Sequence, residues 1–228
     1  MKHTFAGDGP GVQTPDGCSV ELYRALPYLG ELEEIIHLFE PGTSVLELGC
    51  GTGRLCLRLR GVGCSVTGVD ESEAMLAQVP SEVRTIRGKV EDLDAGESFD
   101  AVLLASHLIN HPDQDARAAF VRCARRHLRP GGILFIKRHS VAWLTSVAVG
   151  PAGRAGDTSL FVESVEREAG VVSMCLRYEL GGQSWRHFFS TAPLSEEAVD
   201  ELLLQHGIGP ARWLGKHRTW GVAVAGDA

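Results

Sequence analysis

The sequence lacks any apolar run of the length that a membrane-spanning helix needs, which is about 20 residues. Its polar, glycine-rich start, residues 1–12, also lacks the apolar stretch of a secretory signal peptide. We therefore expect a cytoplasmic protein that does not act at a membrane. The sequence also contains no internal repeat and no low-complexity segment.

Closely spaced cysteine pairs are missing as well. The chain has six cysteines, and no two of them show the Cys-x-x-Cys spacing that is typical of zinc sites. The sequence therefore predicts no metal site. Reduced thiols in a cytosolic protein are the simpler interpretation of these cysteines.

The chain has no excess of positive charge. It carries 22 lysines and arginines against 29 aspartates and glutamates, which gives a net charge of −7. Affinity for DNA or RNA depends largely on clustered Lys and Arg. We therefore expect no nucleic-acid partner, and we expect a small molecule instead. The sequence does not predict an oligomeric state.

The order of apolar segments indicates the fold class. Short apolar runs alternate with segments of helical periodicity, which favours right-handed crossovers and a doubly wound, mostly parallel sheet in an α/β domain. Residues 130–132, Pro-Gly-Gly, are expected to turn the chain into the last of these strands. The predicted strands are residues 44–48, 64–69, 83–87, 101–105 and 133–137.

The two ends of this pattern differ from its middle. Residues 1–41 are predicted to form a lead-in with a lid helix from Val20 to Phe39, which Pro27 interrupts. Residues 42–228 are predicted to form the main domain. Within it, strand-like segments separated by glycine turns predict an inserted antiparallel ribbon at about residues 157–191.

The strongest motif is a strand, a glycine-rich turn and a helix start between Val45 and Leu55. Gly49, Gly51 and Gly53 give the spacing Gly-x-Gly-x-Gly, and glycines let a ligand approach the backbone closely. A dinucleotide fingerprint would need its third glycine at position 54, which is Arg. Glu47 would crowd a pyrophosphate, so this loop suits a cationic ligand better.

Asp70 supplies a second feature at the end of the second predicted strand. A carboxylate at this place can accept hydrogen bonds from both hydroxyls of a ribose. The alternative is a helix N-cap, and the two roles are compatible. The loop and Asp70 together are far more specific than either feature alone.

These motifs resemble those of the class I S-adenosylmethionine-dependent methyltransferases, over about residues 42–138. The resemblance implies a seven-stranded sheet with a reversed final strand and S-adenosylmethionine as the cofactor. This chain departs from the family pattern at Lys89, a position where the family often has an acidic residue. The residues implied to bind the cofactor are Glu47, Gly49, Cys50, Gly51, Gly53, Asp70, Glu71, Val90, Glu91 and Ser106, with Tyr23 and Arg24 from the lid.

The methyl acceptor is expected beyond the carboxyl ends of the fourth and fifth strands. His111 is the predicted catalytic residue and His107 the alternative, because both follow the fourth strand and histidine titrates near neutral pH. The competing interpretation is that each of these histidines only caps a helix or lies at the surface. Tyr178 and His187 of the ribbon are the next candidates.

Three functions stay open at this point. The first is methyl transfer to a small molecule, such as a natural product or a quinone-like metabolite. The second is an NAD(P)-dependent oxidoreductase, which the glycine spacing and Glu47 disfavour. The third is a non-catalytic module that binds S-adenosylmethionine. The sequence does not identify the acceptor, nor whether its O, N, S or C atom is methylated.

Overall fold

The computed structural model describes residues 5–226 of the 228-residue chain. Most of its helices are short, and several begin with a serine or aspartate whose side chain accepts a hydrogen bond from the first turn. The helices are α1 (Val20–Ala25), α2 (Arg54–Gly61), α3 (Glu73–Leu76), α4 (Gln114–His127), α5 (Val141–Ser146) and α6 (Glu196–Leu204).

Twelve strands among the described residues form two sheets. The larger sheet has seven strands in the order β11-β12-β6-β5-β2-β3-β4. Its strands pair in parallel except at β12, which runs antiparallel to both of its neighbours. This is the mostly parallel sheet with a reversed final strand that the family resemblance implied. Its strands are β2 (Ser44–Leu48), β3 (Ser65–Asp70), β4 (Arg84–Arg87), β5 (Phe99–Leu104), β6 (Leu128–Lys137), β11 (Arg212–Leu214) and β12 (Trp220–Val224).

Both faces of the larger sheet are buried, as alternation along its strands requires. Leu46 and Leu48 of β2 lie in a cluster with side chains of α4 and α6. Val45, on the other face, lies in a cluster with α2 and with Leu32 and Ile35 of the lead-in. The lead-in therefore forms part of the core and holds one face of the sheet.

The second sheet is antiparallel and has five strands in the order β1-β10-β9-β8-β7. It extends beyond the predicted ribbon at about 157–191, because it begins at Gly150 and also takes a strand from the lead-in. The strands are β1 (Ala6–Asp8), β7 (Gly150–Ala155), β8 (Thr158–Glu168), β9 (Val171–Leu180) and β10 (Gln183–Thr191).

Two local predictions were wrong. The lid helix predicted over Val20–Phe39 is regular only in α1, and a short 3₁₀ turn at Ile36–Leu38 follows after turns and irregular chain. Residues 130–132 do not form a turn before the last predicted strand, because β6 already begins at Leu128 and continues through them. They form a bulge, since the pairing of β6 with β5 shifts there and Gly131 has a φ of +72°.

Asn110 joins the larger sheet to the second one. It lies in a 3₁₀ turn after β5, and only 1% of it is exposed. Its Nδ2 donates to the carbonyl of Ala192, just after β10, at 2.7 Å, and its Oδ1 accepts from the amide of His139 at 2.8 Å. Its own carbonyl accepts from the amide of Ala192. Asn110 is thus a structural tie.

None of the helices within residues 5–226 is long and apolar enough to cross a membrane.

Asn110→Ala should destabilise the protein by about 2–4 kcal/mol, because it leaves a buried carbonyl and a buried amide without partners. Urea unfolding followed by circular dichroism measures this change. Lys216→Ala, at an exposed position, serves as the control and should change stability by less than about 0.5 kcal/mol. Equal stability of the two variants would contradict the structural role of Asn110.

Candidate functional site

The three loop glycines all adopt left-handed backbone conformations that other residues rarely adopt. Their φ angles are +74° at Gly49, +55° at Gly51 and +80° at Gly53. A Cβ added at Gly49 would press on Leu108, and one at Gly53 would press on Val79. A Cβ at Gly51 would meet nothing within 4 Å. The loop is therefore packed at both ends and faces open space in the middle.

Asp70 fixes the position of this loop. Its Oδ2 accepts from the amide of Gly51 and its Oδ1 accepts from the amide of Ser72, both at 2.9 Å. Burial raises the pKa of Asp70, and these two hydrogen bonds lower it. Ser72, not Asp70, is the N-cap of α3. Each carboxylate oxygen keeps a lone pair for a further donor, such as a ribose hydroxyl.

Glu47 and Cys50 lie beneath the loop. Glu47 is 1% exposed, and its carboxyl group accepts a hydrogen bond from the Cys56 thiol at 2.9 Å. Burial raises the pKa of Glu47 to about 7. The Cys50 side chain is also buried, over Gly68. These side chains support the loop from below, so their expected contact with a cofactor stays a prediction.

The lead-in lies against the outer side of the loop. The Thr52 hydroxyl donates to the carbonyl of Tyr23 at 3.4 Å. Arg54, the first residue of α2, donates to the carbonyl of Pro27 and forms an ion pair with Glu31 at 2.8 Å. The Tyr23 side chain is half-buried and that of Arg24 is exposed. The lead-in therefore lies against one side of the glycine loop, and its role as a lid stays a prediction.

The other expected cofactor residues follow neighbouring strands at the carboxyl edge of the sheet. Glu71 follows β3, Glu91 follows β4 and Ser106 follows β5, and all three are exposed. Val90 is buried and packs against the core. Because β3 and β5 flank β2 in the sheet, Asp70, the glycine loop and Ser106 lie side by side.

The exit of β5 is strained and carries a stack of rings. Ser106 and His107 both have positive φ angles, +55° and +59°, which is uncommon for residues other than glycine. The His107 ring stacks on His139, which follows β6, with centroids 3.7 Å apart, and His139 stacks on Trp143 at 5.6 Å. Strain of this kind is often found at ligand sites.

The pKa values of the two stacked histidines are both lowered. Burial lowers the pKa of His139 to about 4 and lowers the pKa of His107 well below its usual range, and the nearby Lys137 lowers both further. The Nδ1 atom of His107 is buried, and it has no hydrogen-bond partner among residues 5–226. This pair is thus suited to orient a ligand and poorly suited to take up a proton.

The other histidine candidate lies apart from this stack. His111 stacks on Phe5 with centroids 5.3 Å apart and packs edge-on against Phe120 of α4. Its Nδ1 accepts from the amide of Asp113, the N-cap of α4. The structure therefore does not bring His107 and His111 together.

A cluster that the sequence did not predict joins the lead-in to the second sheet. The Cys18 thiol lies 3.5 Å from the Tyr23 hydroxyl and 3.9 Å from Nε2 of His187. Asp16 is close enough that its charge raises the pKa values of Asp70 and Glu71, which burial raises most. Cys18 gave no sequence signal, because the contact depends on tertiary packing. Asp16, Cys18, Tyr23, Tyr178 and His187 are called the lead-in cluster below.

A separate cleft of about 390 Å³ lies at the opposite, amino-terminal edge of the larger sheet, lined by Thr43 and Gly131 among others. An ion pair between Asp100 and Arg129 lies beside it. Ligands of parallel α/β sheets bind outside the carboxyl ends of the strands, so this cleft is not the site described above. Within residues 5–226, no group of three or more His, Cys, Asp or Glu could hold a metal ion.

Comparison with known proteins identifies the loop and the strands around it. A family model described as a methyltransferase domain matches residues 45–132. This match covers the glycine loop, Asp70 and the exit of β5. Residues 45–132 thus match a methyltransferase domain, in agreement with the class I S-adenosylmethionine-dependent methyltransferases that the sequence motifs resemble.

Curated relatives match the same part of the chain. Cypemycin N-terminal methyltransferase from Streptomyces sp is 33% identical over 101 residues, which is 42% of this chain and 41% of the relative. Ubiquinone biosynthesis O-methyltransferase from Mesorhizobium japonicum is 34% identical over 105 residues, 42% of this chain and 40% of the relative. The chain thus spans about two fifths of the length of the curated relatives it matches.

Solved structures match the fold over most of the chain. The sugar N-methyltransferase KedS8 from Streptoalloteichus sp is 20% identical, with a TM-score of 0.71 over 99% of this chain and 100% of that one. Streptomyces venezuelae DesVI is 20% identical, with a TM-score of 0.69 over 91% of this chain and 95% of that one. At such identities the likeness shows the fold alone.

The residues present fit S-adenosylmethionine, the cofactor that the family resemblance implies. The open space over Gly51 leaves room for a ligand against the backbone. Asp70 offers its remaining lone pairs to ribose hydroxyls, and the exposed carboxylate of Glu71 lies next to it. The loop carries no phosphate-binding cation of its own, which suits an adenosyl group attached to a sulfonium.

Asp70→Ala should weaken the binding of S-adenosylmethionine by about 1.5–3 kcal/mol, because hydrogen bonds to a charged group are lost. Asp70→Asn keeps one acceptor oxygen and should lose less. Calorimetric titration measures both, and circular dichroism checks that each variant is folded. Wild-type affinity in a folded Asp70→Ala variant would remove Asp70 from the site.

Glu47 should make stability depend on pH. The pKa of Glu47 is raised from 4.5 to about 7 in the folded protein, so folding is favoured most below about pH 4.5. This contribution is lost as the pH rises to about 7, and Glu47→Gln lacks it. Between pH 5 and pH 8 the wild type should therefore lose about 2–3 kcal/mol relative to Glu47→Gln. Urea unfolding without cofactor tests this, with the exposed Glu82→Gln as control, and parallel pH curves would contradict it.

Proposed function

We propose that this chain transfers the methyl group of S-adenosylmethionine to a small molecule. The observation that carries the proposal is the glycine loop held open by Asp70 at the carboxyl edge of the sheet. The methyltransferase domain match supports it as well. In this proposal Gly49, Gly51 and Asp70 hold the cofactor, Ser106 and Glu71 flank it, and Tyr23 and Arg24 belong to the lid.

When bound, S-adenosylmethionine supplies a methyl group attached to a positively charged sulfur, and this sulfur is a good leaving group because it departs as a neutral thioether. Much of the barrier can then be removed by holding the donor and the acceptor in line. The protein's own task is to orient the acceptor and to exclude water. A base is needed only where the acceptor must lose a proton before it attacks.

The acceptor side of the site is assigned to the rings that follow β5 and β6. His107 is held rigidly by His139, and its backbone conformation is strained, which suits a positioning role. His111 packs against Phe120 and contacts the start of α4, so in the proposal it shapes the wall behind the acceptor. Asn110 and Arg138 are structural: Arg138 is buried and donates to the carbonyls of Leu194 and Arg218.

The named relatives differ in the acceptor they modify. One methylates an N-terminus, one is an O-methyltransferase of ubiquinone biosynthesis, and one structural neighbour is a sugar N-methyltransferase. The shared domain therefore leaves the acceptor atom open. All six cysteines are free thiols, which is consistent with the proposed cytoplasmic location.

Two measurements test the proposal. Calorimetry should detect binding of S-adenosylmethionine and no binding of NAD, because the loop lacks the glycine spacing for a pyrophosphate. Transfer of a labelled methyl group to phenols, amines, thiols and acids should then mark at least one class of acceptor. Binding without any transfer would favour a non-catalytic module, and binding of NAD alone would overturn the proposal.

His107→Ala should lower turnover about tenfold to a hundredfold, because a misplaced acceptor reacts slowly, and it should leave cofactor affinity nearly unchanged. His111→Ala should have the same direction of effect. The label-transfer assay and calorimetry measure the two quantities. The exposed His37→Ala is the control. Full turnover in both His107→Ala and His111→Ala would contradict their role in the acceptor site.

A further inference from the structure

The second sheet packs one apolar face near α5 and the lead-in, and two polar rings interrupt that face. Met174, Leu176 and Phe189 share the face and pack near Leu144 of α5. His187 pairs directly with Leu176, and Tyr178 pairs with Trp185, so both polar rings lie on the same face. Polar groups on a buried apolar face need hydrogen-bond partners, because burying them without one costs free energy.

The lead-in loop packs on this face and fixes the state of His187. Nε2 of His187 lies 3.2 Å from the backbone carbonyl of Asp16. A carbonyl oxygen can only accept, so Nε2 carries the proton and Nδ1 is left as an acceptor. The nearby ring of Phe189, 5.1 Å away, helps to hold the imidazole in place. His187 is thus a fixed hydrogen-bond acceptor.

Burial disfavours charge on the side chains inside the lead-in cluster. Burial raises the pKa of Cys18 to about 12 and raises that of Tyr178, while Cys18 and burial raise that of Tyr23. Burial lowers the pKa of His187, against the opposite effect of Asp16. Among residues 5–226, the main causes of these four pKa shifts include no lysine or arginine.

The rim of the cluster is acidic. Asp16 is exposed, and it acts electrostatically on both Asp70 and Glu71. Three carboxyl groups therefore lie near one another between the lead-in cluster and the cofactor loop, and the charge of Lys89 also acts on Glu71, so the rim is net negative. Such a rim attracts cations and repels anions, as does the net charge of −7.

The low tolerance for charge inside the cluster and the negative charge of the rim favour some methyl-acceptor atoms over others. Phenolates, thiolates and enolates are anions, which the net negative rim repels. An alcohol needs a strong base, and the half-buried histidines with lowered pKa values, His107, His139 and His187, are weak ones. An amine in its ammonium form is attracted by the negative rim. Once it has lost a proton, its nitrogen has a lone pair that can attack the methyl group without a further base.

We propose that the acceptor is a primary or secondary amine, and that Nδ1 of His187 accepts a hydrogen bond from its N–H and so orients its lone pair. This inference rests on the proposed methyl transfer. Tyr23 and Tyr178 supply hydroxyl groups around the same nitrogen, and Asp16 attracts the ammonium form to the opening.

The proton and electron balance is simple. The ammonium group gives one proton to water at the rim before its nitrogen enters. The nitrogen lone pair forms the N–C bond to the methyl carbon, the C–S bond breaks, and its electron pair stays on sulfur as a neutral thioether. The methylated nitrogen then carries the positive charge and releases a proton to water after it leaves. No further oxidant, reductant or base is required.

The test uses matched amine and hydroxyl compounds built on cyclohexane, benzene and pyranose rings, with labelled S-adenosylmethionine. Label should enter the amines at least tenfold faster than their hydroxyl partners. His187→Phe keeps an aromatic ring but loses both nitrogens, including the acceptor Nδ1, so kcat/KM for the best amine should fall at least tenfold. His187→Gln keeps an acceptor oxygen and should recover part of the loss. The exposed His217→Phe should match the wild type.

A second readout does not depend on turnover. In the complex with S-adenosylhomocysteine, the best amine should shift the ¹⁵N resonance of His187 Nδ1, which His187→Phe identifies by its loss. Label on hydroxyl compounds instead of amines, label on no amine, or wild-type kinetics in a folded His187→Phe variant would each overturn the inference. Failure of S-adenosylmethionine to bind in calorimetry would instead overturn the proposed function.

Discussion

The hydrogen bond from the Gly51 amide to the Asp70 carboxylate is the contact on which the site depends. It joins the loop after β2 to the end of β3, at the edge of the sheet where parallel strands present their ligands. Gly51 can turn its backbone there because it has no Cβ and its φ is +55°. Buried Glu47 and Cys56 support the same loop from below. Because β5 lies next to β2 in the sheet, Ser106, which follows β5, lies beside the glycine loop.

The lead-in and the second sheet complete the site around this edge. The lead-in is tied to α2 through Arg54 and to the second sheet through His187. Asn110 ties the exit of β5 to the end of β10. The proposed acceptor site is therefore enclosed by segments that are distant in sequence, and its polar groups come from both ends of the chain.

The sequence predicts those parts whose signals are local. Buried strands such as β2 and β5 appear as apolar runs, and the glycine spacing predicts the cofactor loop. The strand β7, Gly150–Ala155, was missed because its glycines and proline have the composition of a loop, and it gains its strand form by pairing with β8. The contact of Cys18 with His187 spans 169 residues, so only tertiary packing reveals it.

Hydrogen–deuterium exchange with and without S-adenosylmethionine tests the central claim most directly, because it locates the cofactor on the chain. The account predicts added protection at residues 49–53, 70–72 and 106–108, at the carboxyl edge of the larger sheet. It predicts unchanged exchange at residues 41–43, beside the cleft at the amino-terminal edge. Protection confined to the amino-terminal edge, or no protection at a saturating concentration, would contradict it.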